Sequence, residues 1–156
     1  MLTWLLLVSI LFFGCVSNTQ GAIPNQNNST TLSQNISVND SIKVIKVEVY
    51  HFHGTNQCPS CIKVGELAEK TVNTYFKDEL ESGKLVFGHI NGELPENQDL
   101  VNRYGVSSAS LWIGTYVNGE FHKEQNVNVW YKINNEEDYL NHLRGILERR
   151  LSGGLN

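Results

Sequence analysis

The chain is poor in the features that mark several classes of protein. It has three cysteines in 156 residues, too few for a disulfide-rich scaffold or a four-thiolate zinc site. Its 12 lysines and arginines do not outnumber its 16 aspartates and glutamates, so a net charge of −4 gives no basis for nucleic-acid binding. We recognise no glycine-rich phosphate loop, no Ser-His-Asp set and no paired-carboxylate site. With 40% hydrophobic and 18% charged residues, the composition is that of a globular protein.

The one long apolar run lies at the N-terminus. Residues 1–16 contain no charged side chain, but the run is shorter than the ~20 residues that span a bilayer as a helix. It has the length of a signal-peptide core and ends at Gly14-Cys15, which resembles a lipoprotein signal in which the cysteine is lipidated. We therefore expect an exported protein, tethered to the outer side of the cell membrane through Cys15. Secretion and an uncleaved anchor are the alternatives.

The next segment, residues 17–41, is predicted to be a flexible linker. Of its 25 residues, 17 are Ser, Thr, Asn or Gln and only Asp40 is charged. Too little apolar surface is present to offset the entropy lost on ordering the chain. The folded domain is therefore expected to cover residues 42–156.

Hydrophobic periodicity within that domain predicts alternating strands and helices. Apolar residues alternate in the first strand, and they recur at three-four spacing in a helix that runs from the cysteine pair to Leu80. Strand–helix–strand units favour parallel pairing, and Asn118-Gly119 is a strong signal for a type I′ hairpin. The order β-α-β-α-β-β-α predicts an α/β fold with a central mixed sheet flanked by helices. The remaining elements are strands at 42–52, 84–91, 110–117 and within 120–132, and helices at 96–103 and 134–151.

The residues that point to chemistry are Cys58-Pro59-Ser60-Cys61, between the first strand and the first helix. If Cys58 lies at the helix N-terminus, unpaired backbone N–H groups and the helix dipole favour its thiolate, which is the nucleophilic form of the sulfur. Pro59 suits the first helical position, where its missing N–H is not needed. Cys61 lies one turn along and can attack a mixed disulfide on Cys58. The four residues therefore indicate disulfide exchange.

From about Ile42 to Leu151 the chain resembles the thioredoxin-fold family. The resemblance is carried by the Cys58–Cys61 tetrapeptide, by Tyr104-Gly105-Val106 and by Asn118-Gly119-Glu120, in that order. It implies a thioredoxin-like fold in which Cys58 is the nucleophile and Cys61 is the resolving thiol. It also implies protein or small-molecule disulfides and dithiols as substrates, an electron donor or acceptor that the chain does not identify, and no cofactor or metal.

The sequence departs from the family pattern around the cysteines. Ser110, after Ala109, stands where the family usually has a cis-proline, and Gln57 replaces the tryptophan that commonly precedes the first cysteine. The family's buried acid has no counterpart here, and His51 and His53 lie in its region. Alternate strand residues share a face, so the two histidines are predicted to point together towards the thiols, where an imidazole could move a proton. Together with Pro59 and Ser60, these residues form the predicted periphery of the site.

Two other functions fit the same residues. His51, His53, Cys58 and Cys61 supply two imidazoles and two thiolates within eleven residues, an acceptable ligand set for zinc, and an iron–sulfur site is a related alternative. A non-catalytic binding module with a static disulfide is the second alternative, because Ser110 and Gln57 both weaken the catalytic pattern.

Overall fold

Four strands form one mixed sheet, in the order β2-β1-β3-β4, in the computed structural model, which describes residues 42–155. The strands are β1 (Val44–His53), β2 (Leu85–Asn91), β3 (Ser110–Val117) and β4 (Glu120–Gln125). The helices are α1 (Pro59–Tyr75), α2 (Lys77–Glu81), α3 (Gln98–Tyr104) and α4 (Glu136–Leu151), with 3-10 turns at Pro95–Asn97 and Val127–Tyr131. The predicted leader, the linker and the lipidation of Cys15 lie outside the described residues.

The central strand β1 pairs in parallel with β2 and antiparallel with β3. Its register places His51 opposite His89 of β2 and Phe52 opposite Ser110 of β3. The predicted Asn118-Gly119 hairpin is confirmed: both residues have positive φ, 53° and 84°, and they join β3 to the antiparallel edge strand β4. Within residues 42–155, no helix combines the length and the apolarity that crossing a bilayer requires.

The expectation of parallel pairing is right for β1 and β2 but wrong for β3. Helix α3 has only seven residues and is about 10 Å long, at ~1.5 Å per residue. It is too short to carry the chain back along the whole sheet. Strand β3 therefore begins at the end of the sheet where β2 stops, and it runs in the opposite direction.

The first helix is also shorter than its apolar pattern predicts. It ends at Tyr75, and Phe76 leaves the helical region at φ −131° and ψ 36° before α2 begins at Lys77. Phe76 is only 3% exposed and belongs to the main core. The helix therefore breaks at the residue that enters the core. The continuous three-four spacing of apolar residues in the sequence does not indicate this break.

The two faces of β1 enter different cores. Val47 and Val49 pack with residues of α1 and α4 in the larger core. Tyr50 and Phe52 point to the opposite face and pack with Tyr104 of α3 in a smaller aromatic cluster. Helices therefore cover both faces of the sheet. Helix α1 lies over the face to which the odd-numbered residues of β1 point.

This architecture is a thioredoxin-like fold. Its defining features are the β2-β1-β3-β4 order, the antiparallel edge strand and a helix that starts directly after the cysteine loop at the carboxyl end of β1. The predicted α/β class with a central mixed sheet flanked by helices is confirmed.

Candidate active site

The first cysteine of the pair caps the N-terminus of α1. Cys58 is the N-cap residue, with extended backbone at φ −75° and ψ 156°, and Pro59 is at the start of the helix. The backbone N–H of Cys61 donates a hydrogen bond to Cys58 Sγ at 3.1 Å. In the reduced protein, a thiolate on Cys58 would accept the same hydrogen bond at the positive end of the helix dipole.

A disulfide joins Cys58 to Cys61, whose Cα atoms are 5.0 Å apart. The two residues differ in exposure: Cys58 is exposed, like Pro59 and Ser60, whereas Cys61 is half-buried. Gln57 is also half-buried, and its Oε1 atom has no hydrogen-bond partner among the described residues. Cys58 is therefore the more accessible residue of the pair.

Ser110, at the usual cis-proline position, is buried at the start of β3. Its hydroxyl donates a hydrogen bond to the carbonyl of Ser108 at 2.8 Å and accepts one from the indole N–H of Trp112 at 3.0 Å. The side chain is therefore committed to holding the loop in front of β3. Ala109, just before it, is half-buried. Of these two residues, only Ala109 lines an open cavity.

An open cavity of about 340 Å³ lies beside the cysteine loop. Asn56 from that loop, His53 and Ala109 contribute to its wall, whereas the two sulfurs do not. Glu93 lies on the same wall and accepts a hydrogen bond from the backbone N–H of Thr55 at 3.0 Å. Hydrogen bonds from Thr55 hold the pKa of Glu93 below its usual value, so this wall of the cavity is anionic at neutral pH.

His51 and His53 share the face of β1 that lies under α1, and their ring centroids are 5.4 Å apart. His51 is only 1% exposed, and the carbonyl of Cys61 lies beside its ring. Burial lowers the pKa of His51 to about 4, and the nearby His89 and His53 act in the same direction. His53 is half-buried, and its Nδ1–H donates a hydrogen bond to the carbonyl of Gly54 at 2.9 Å.

His89, on β2, joins this histidine pair. Its Nδ1 atom is 3.1 Å from Nδ1 of His51, a residue 38 positions earlier, and its Nε2 atom is 3.3 Å from Oε2 of Glu69. Gly65 of α1 makes room for the pair, because a Cβ atom there would lie 2.7 Å from Cε1 of His51 and 2.9 Å from Cε1 of His89. Sequence reasoning missed Glu69 and Gly65, since their link to His51 exists only across elements.

The residues proposed for the alternative metal site are not arranged as ligands. The two sulfurs are bonded to each other, and Nδ1 of His51 faces His89. Across residues 42–155, no three or more His, Cys, Asp or Glu side chains converge in a way that could hold a metal ion.

Comparison with known proteins finds distant structural likenesses. No protein-family model matches the chain, and no curated protein matches it. A thioredoxin from Thermus thermophilus, solved in solution, is 18% identical with a TM-score of 0.41, over 70% of this chain and 77% of that one. A structure described as a malarial protein is 16% identical with a TM-score of 0.41, over 68% of this chain and 98% of that one. The fold is defined here by the strand order and the place of the cysteine pair.

Proposed function

We propose that the chain is a thiol–disulfide oxidoreductase that exchanges electrons with protein or small-molecule disulfides through Cys58 and Cys61. The observation that carries this proposal is the position of Cys58: it is exposed, it caps α1, and it accepts the Cys61 N–H. These features favour a thiolate that a substrate can reach. A resolving thiol one turn along completes the requirements of disulfide exchange.

In the reducing direction, the Cys58 thiolate attacks one sulfur of a substrate disulfide and displaces the other as a thiolate. The resulting mixed disulfide is then attacked at the Cys58 sulfur by the Cys61 thiolate. This second step releases the remaining substrate thiolate and leaves the Cys58–Cys61 disulfide, so two electrons have passed to the substrate. The reverse sequence donates a disulfide, and the reduction potential relative to the partner sets the direction.

The test uses the purified protein carrying Cys15→Ser, so that only two cysteines react. We expect the disulfide to equilibrate with a glutathione redox buffer as a two-electron couple. Thiol trapping and mass spectrometry measure the fraction of oxidised protein. We also expect the protein to accelerate the reduction of a protein disulfide by dithiothreitol. A disulfide that resists reductant in the folded protein would support the static module instead. About one equivalent of bound zinc or iron would support the metal site.

We further propose that the protein works outside the cytoplasm, held at the membrane by a lipid on Cys15. The support is the charge-free apolar run that ends at Gly14-Cys15 and the polar segment that follows it. In cells fed a labelled fatty acid, the label is expected on the wild-type chain and is expected to be absent from Cys15→Ser. Equal labelling of the two chains would contradict the lipid anchor, and a cytoplasmic location would contradict export.

A further inference from the structure

The cavity beside the cysteine loop combines apolar surface with a single fixed charge. Phe52, Val101 and Val106 supply the apolar part of its lining and pack together in the smaller aromatic cluster. Glu93 is the one acidic residue in the lining, and none of the described lysines or arginines contributes to it. The other titratable group there is His53. A long apolar side chain that ends in a positive charge is complementary to both parts of this cavity.

Hydrogen bonds hold Glu93 in place between two loops. Its Oε2 accepts the backbone N–H of Thr55, and its own backbone N–H donates to Oδ1 of Asn91 at 3.0 Å. The amide Nδ2 of Asn91 donates to the hydroxyl of Thr55, also at 3.0 Å, which closes a ring of three bonds. The carboxylate is therefore positioned on the cavity wall before any ligand arrives, so binding does not have to order it.

Gly54 lets this carboxylate lie against the cysteine loop. A Cβ atom at position 54 would be 2.7 Å from Oε1 of Glu93, which is too close for two non-bonded atoms. Any side chain at this position would therefore push the carboxylate away from the wall that it now occupies. The missing side chain of Gly54 is thus part of the geometry that places the charge in the cavity.

The charge on Glu93 has no partner within the part of the chain that the structure describes. No lysine, arginine or histidine of residues 42–155 forms an ion pair with it, whereas the carboxylates of Glu48 and Glu136 each lie within 3 Å of a lysine Nζ. Hydrogen bonds from Thr55 favour the ionised carboxylate. The cavity therefore presents an unmatched negative charge next to apolar surface, and an incoming cation can match it.

The cavity lies within reach of a substrate that is bound to Cys58. Asn56 lines it, and the Cα atoms of Asn56 and Cys58 are at most about 7 Å apart, since two extended residues span no more. Neither sulfur lines the cavity, so a side chain inside it leaves Cys58 free to react. A residue close in sequence to a substrate cysteine can thus enter the cavity while that cysteine meets Cys58.

We propose that this cavity is a subsite for a lysine or arginine side chain of a substrate polypeptide, which pairs with Glu93 while Cys58 attacks the neighbouring disulfide. The inference rests on the proposed function and names its substrate class, disulfides that are flanked by positive charge. The stem of the side chain packs against Phe52 and Val106, and its charged end meets the carboxylate. No bond forms or breaks at Glu93, which determines specificity and takes no part in the electron transfer.

The same arrangement acts against other substrate side chains. An apolar residue in the cavity would remove water from the Glu93 carboxylate without replacing the lost interactions, and an acidic residue would face a like charge. The subsite therefore discriminates by charge, and the discrimination depends on one side chain of this protein. This dependence makes the inference testable by a single substitution.

The test measures attack by Cys58 on a set of peptide disulfides. Each peptide has one cysteine joined to nitrothiobenzoate, a good leaving group that is coloured once it is released. The residue at each of the two positions before and after the cysteine is, in turn, Lys, Met or Glu in an otherwise uncharged sequence. Reduced protein carrying Cys15→Ser is mixed with excess peptide in a stopped-flow instrument, and second-order rate constants are compared. Measurement at pH 8 keeps ordinary imidazoles uncharged.

For at least one position we expect the lysine peptide to react about 2- to 5-fold faster than the methionine peptide at low salt, the range of an exposed ion pair. The glutamate peptide should be slower than the methionine peptide by a similar factor. In Glu93→Gln, which keeps an acceptor for Thr55 but removes the charge, the ratio of lysine to methionine rates should fall to about 1. The wild-type ratio should also approach 1 at ~1 M salt, where charges are screened beyond about 3 Å.

The matched control is Glu96→Gln, because Glu96 is an exposed acid three residues further along that does not line the cavity. Its ratio of lysine to methionine rates should equal that of the wild type. A loop that is merely damaged slows all peptides alike and leaves this ratio unchanged.

Three results would overturn the subsite: no preference for lysine at any position in the wild type, a preference that survives in Glu93→Gln, or one that is lost equally in Glu96→Gln. The last result would assign the preference to the general field of the acidic surface. In each of these cases the peptides still react, so the proposed function stands. Wild-type protein that releases colour from none of the peptides would instead overturn the proposed function, and the subsite with it.

Discussion

Cys58→Ser is expected to abolish disulfide turnover, with a loss of several orders of magnitude, because removing the nucleophile of a covalent mechanism removes the first bond-forming step. A serine hydroxyl at the N-cap keeps the helix capped, since serine is among the preferred residues there. The fold should therefore survive, and thermal unfolding of the variant should resemble that of the reduced wild type. The rate of protein-disulfide reduction, measured at saturating reductant, tests the expectation.

Cys61→Ser should behave differently from Cys58→Ser, and this asymmetry is the sharper test. Its exposed Cys58 can still attack a substrate, but no resolving thiol follows, so a stable mixed disulfide should accumulate and be visible by mass spectrometry. Ser82→Ala, which changes an exposed serine at the C-terminal end of α2, is the matched control and should retain turnover. Equal reactivity of Cys58→Ser and Cys61→Ser towards substrate would contradict the assigned order of attack.

Glu48→Leu is expected to lower the free energy of unfolding by about 3–5 kcal/mol, the cost of removing one partner from a buried ionic group. Glu48 lies on β1 with its side chain only 3% exposed, and its carboxylate is 2.7 Å from Nζ of Lys46 and 3.0 Å from the guanidinium of Arg103. It also accepts a hydrogen bond from the buried hydroxyl of Tyr104 at 2.8 Å. Leucine would leave that hydroxyl unpaired and the two cations without their partner.

Urea unfolding measures this effect, as a shift of the midpoint with an unchanged slope. Glu48→Gln keeps an acceptor for Tyr104 and should cost less, about 1–3 kcal/mol. The matched control is Glu136→Gln, because Glu136 forms an exposed ion pair with Lys70, and such pairs contribute below about 1 kcal/mol. Similar losses of unfolding free energy in Glu48→Leu and Glu136→Gln would show that the buried contacts of Glu48 stabilise the fold no more than an exposed ion pair does.

The same carboxylate should make the fold sensitive to acid. Burial by itself would raise the pKa of Glu48, but the hydrogen bonds from Lys46 and Tyr104 and the charge of Arg103 outweigh burial and lower it. A lowered pKa in the folded state stabilises the protein above the unfolded value of ~4.3, and this contribution is lost as the pH falls through the folded value. Stability of the wild type should therefore fall below pH ~4, and Glu48→Gln should show a shallower fall.

Local sequence patterns were sufficient to predict the strands, the hairpin and the start of α1. Asn118-Gly119 needs only its own backbone preference to form a type I′ turn, and Pro59 after Cys58 is favoured at the start of a helix whatever surrounds it. The direction of β3 could not be predicted in the same way. It depends on how far α3 carries the chain, which is a property of the whole connection between two strands.

The histidine site shows the same limit more clearly. Alternation along β1 predicts that His51 and His53 share a face. The partnership of His51 with His89 depends instead on the register of two parallel strands, and the link to Glu69 depends on where α1 lies across them. The burial of Ser110 likewise follows from its pairing opposite Phe52.

The amino-acid sequence alone determined which residues alternate, where the chain turns and where two sulfurs lie one helical turn apart, because these properties depend on neighbours a few positions away. Only the tertiary structure decided which groups meet between the sheet and the helix that begins at those sulfurs. A helix glycine, two strand histidines and a helix glutamate meet because the larger core packs α1 against the sheet in one position. Contacts between residues 20 and 38 positions apart are set by that packing and not by local preference.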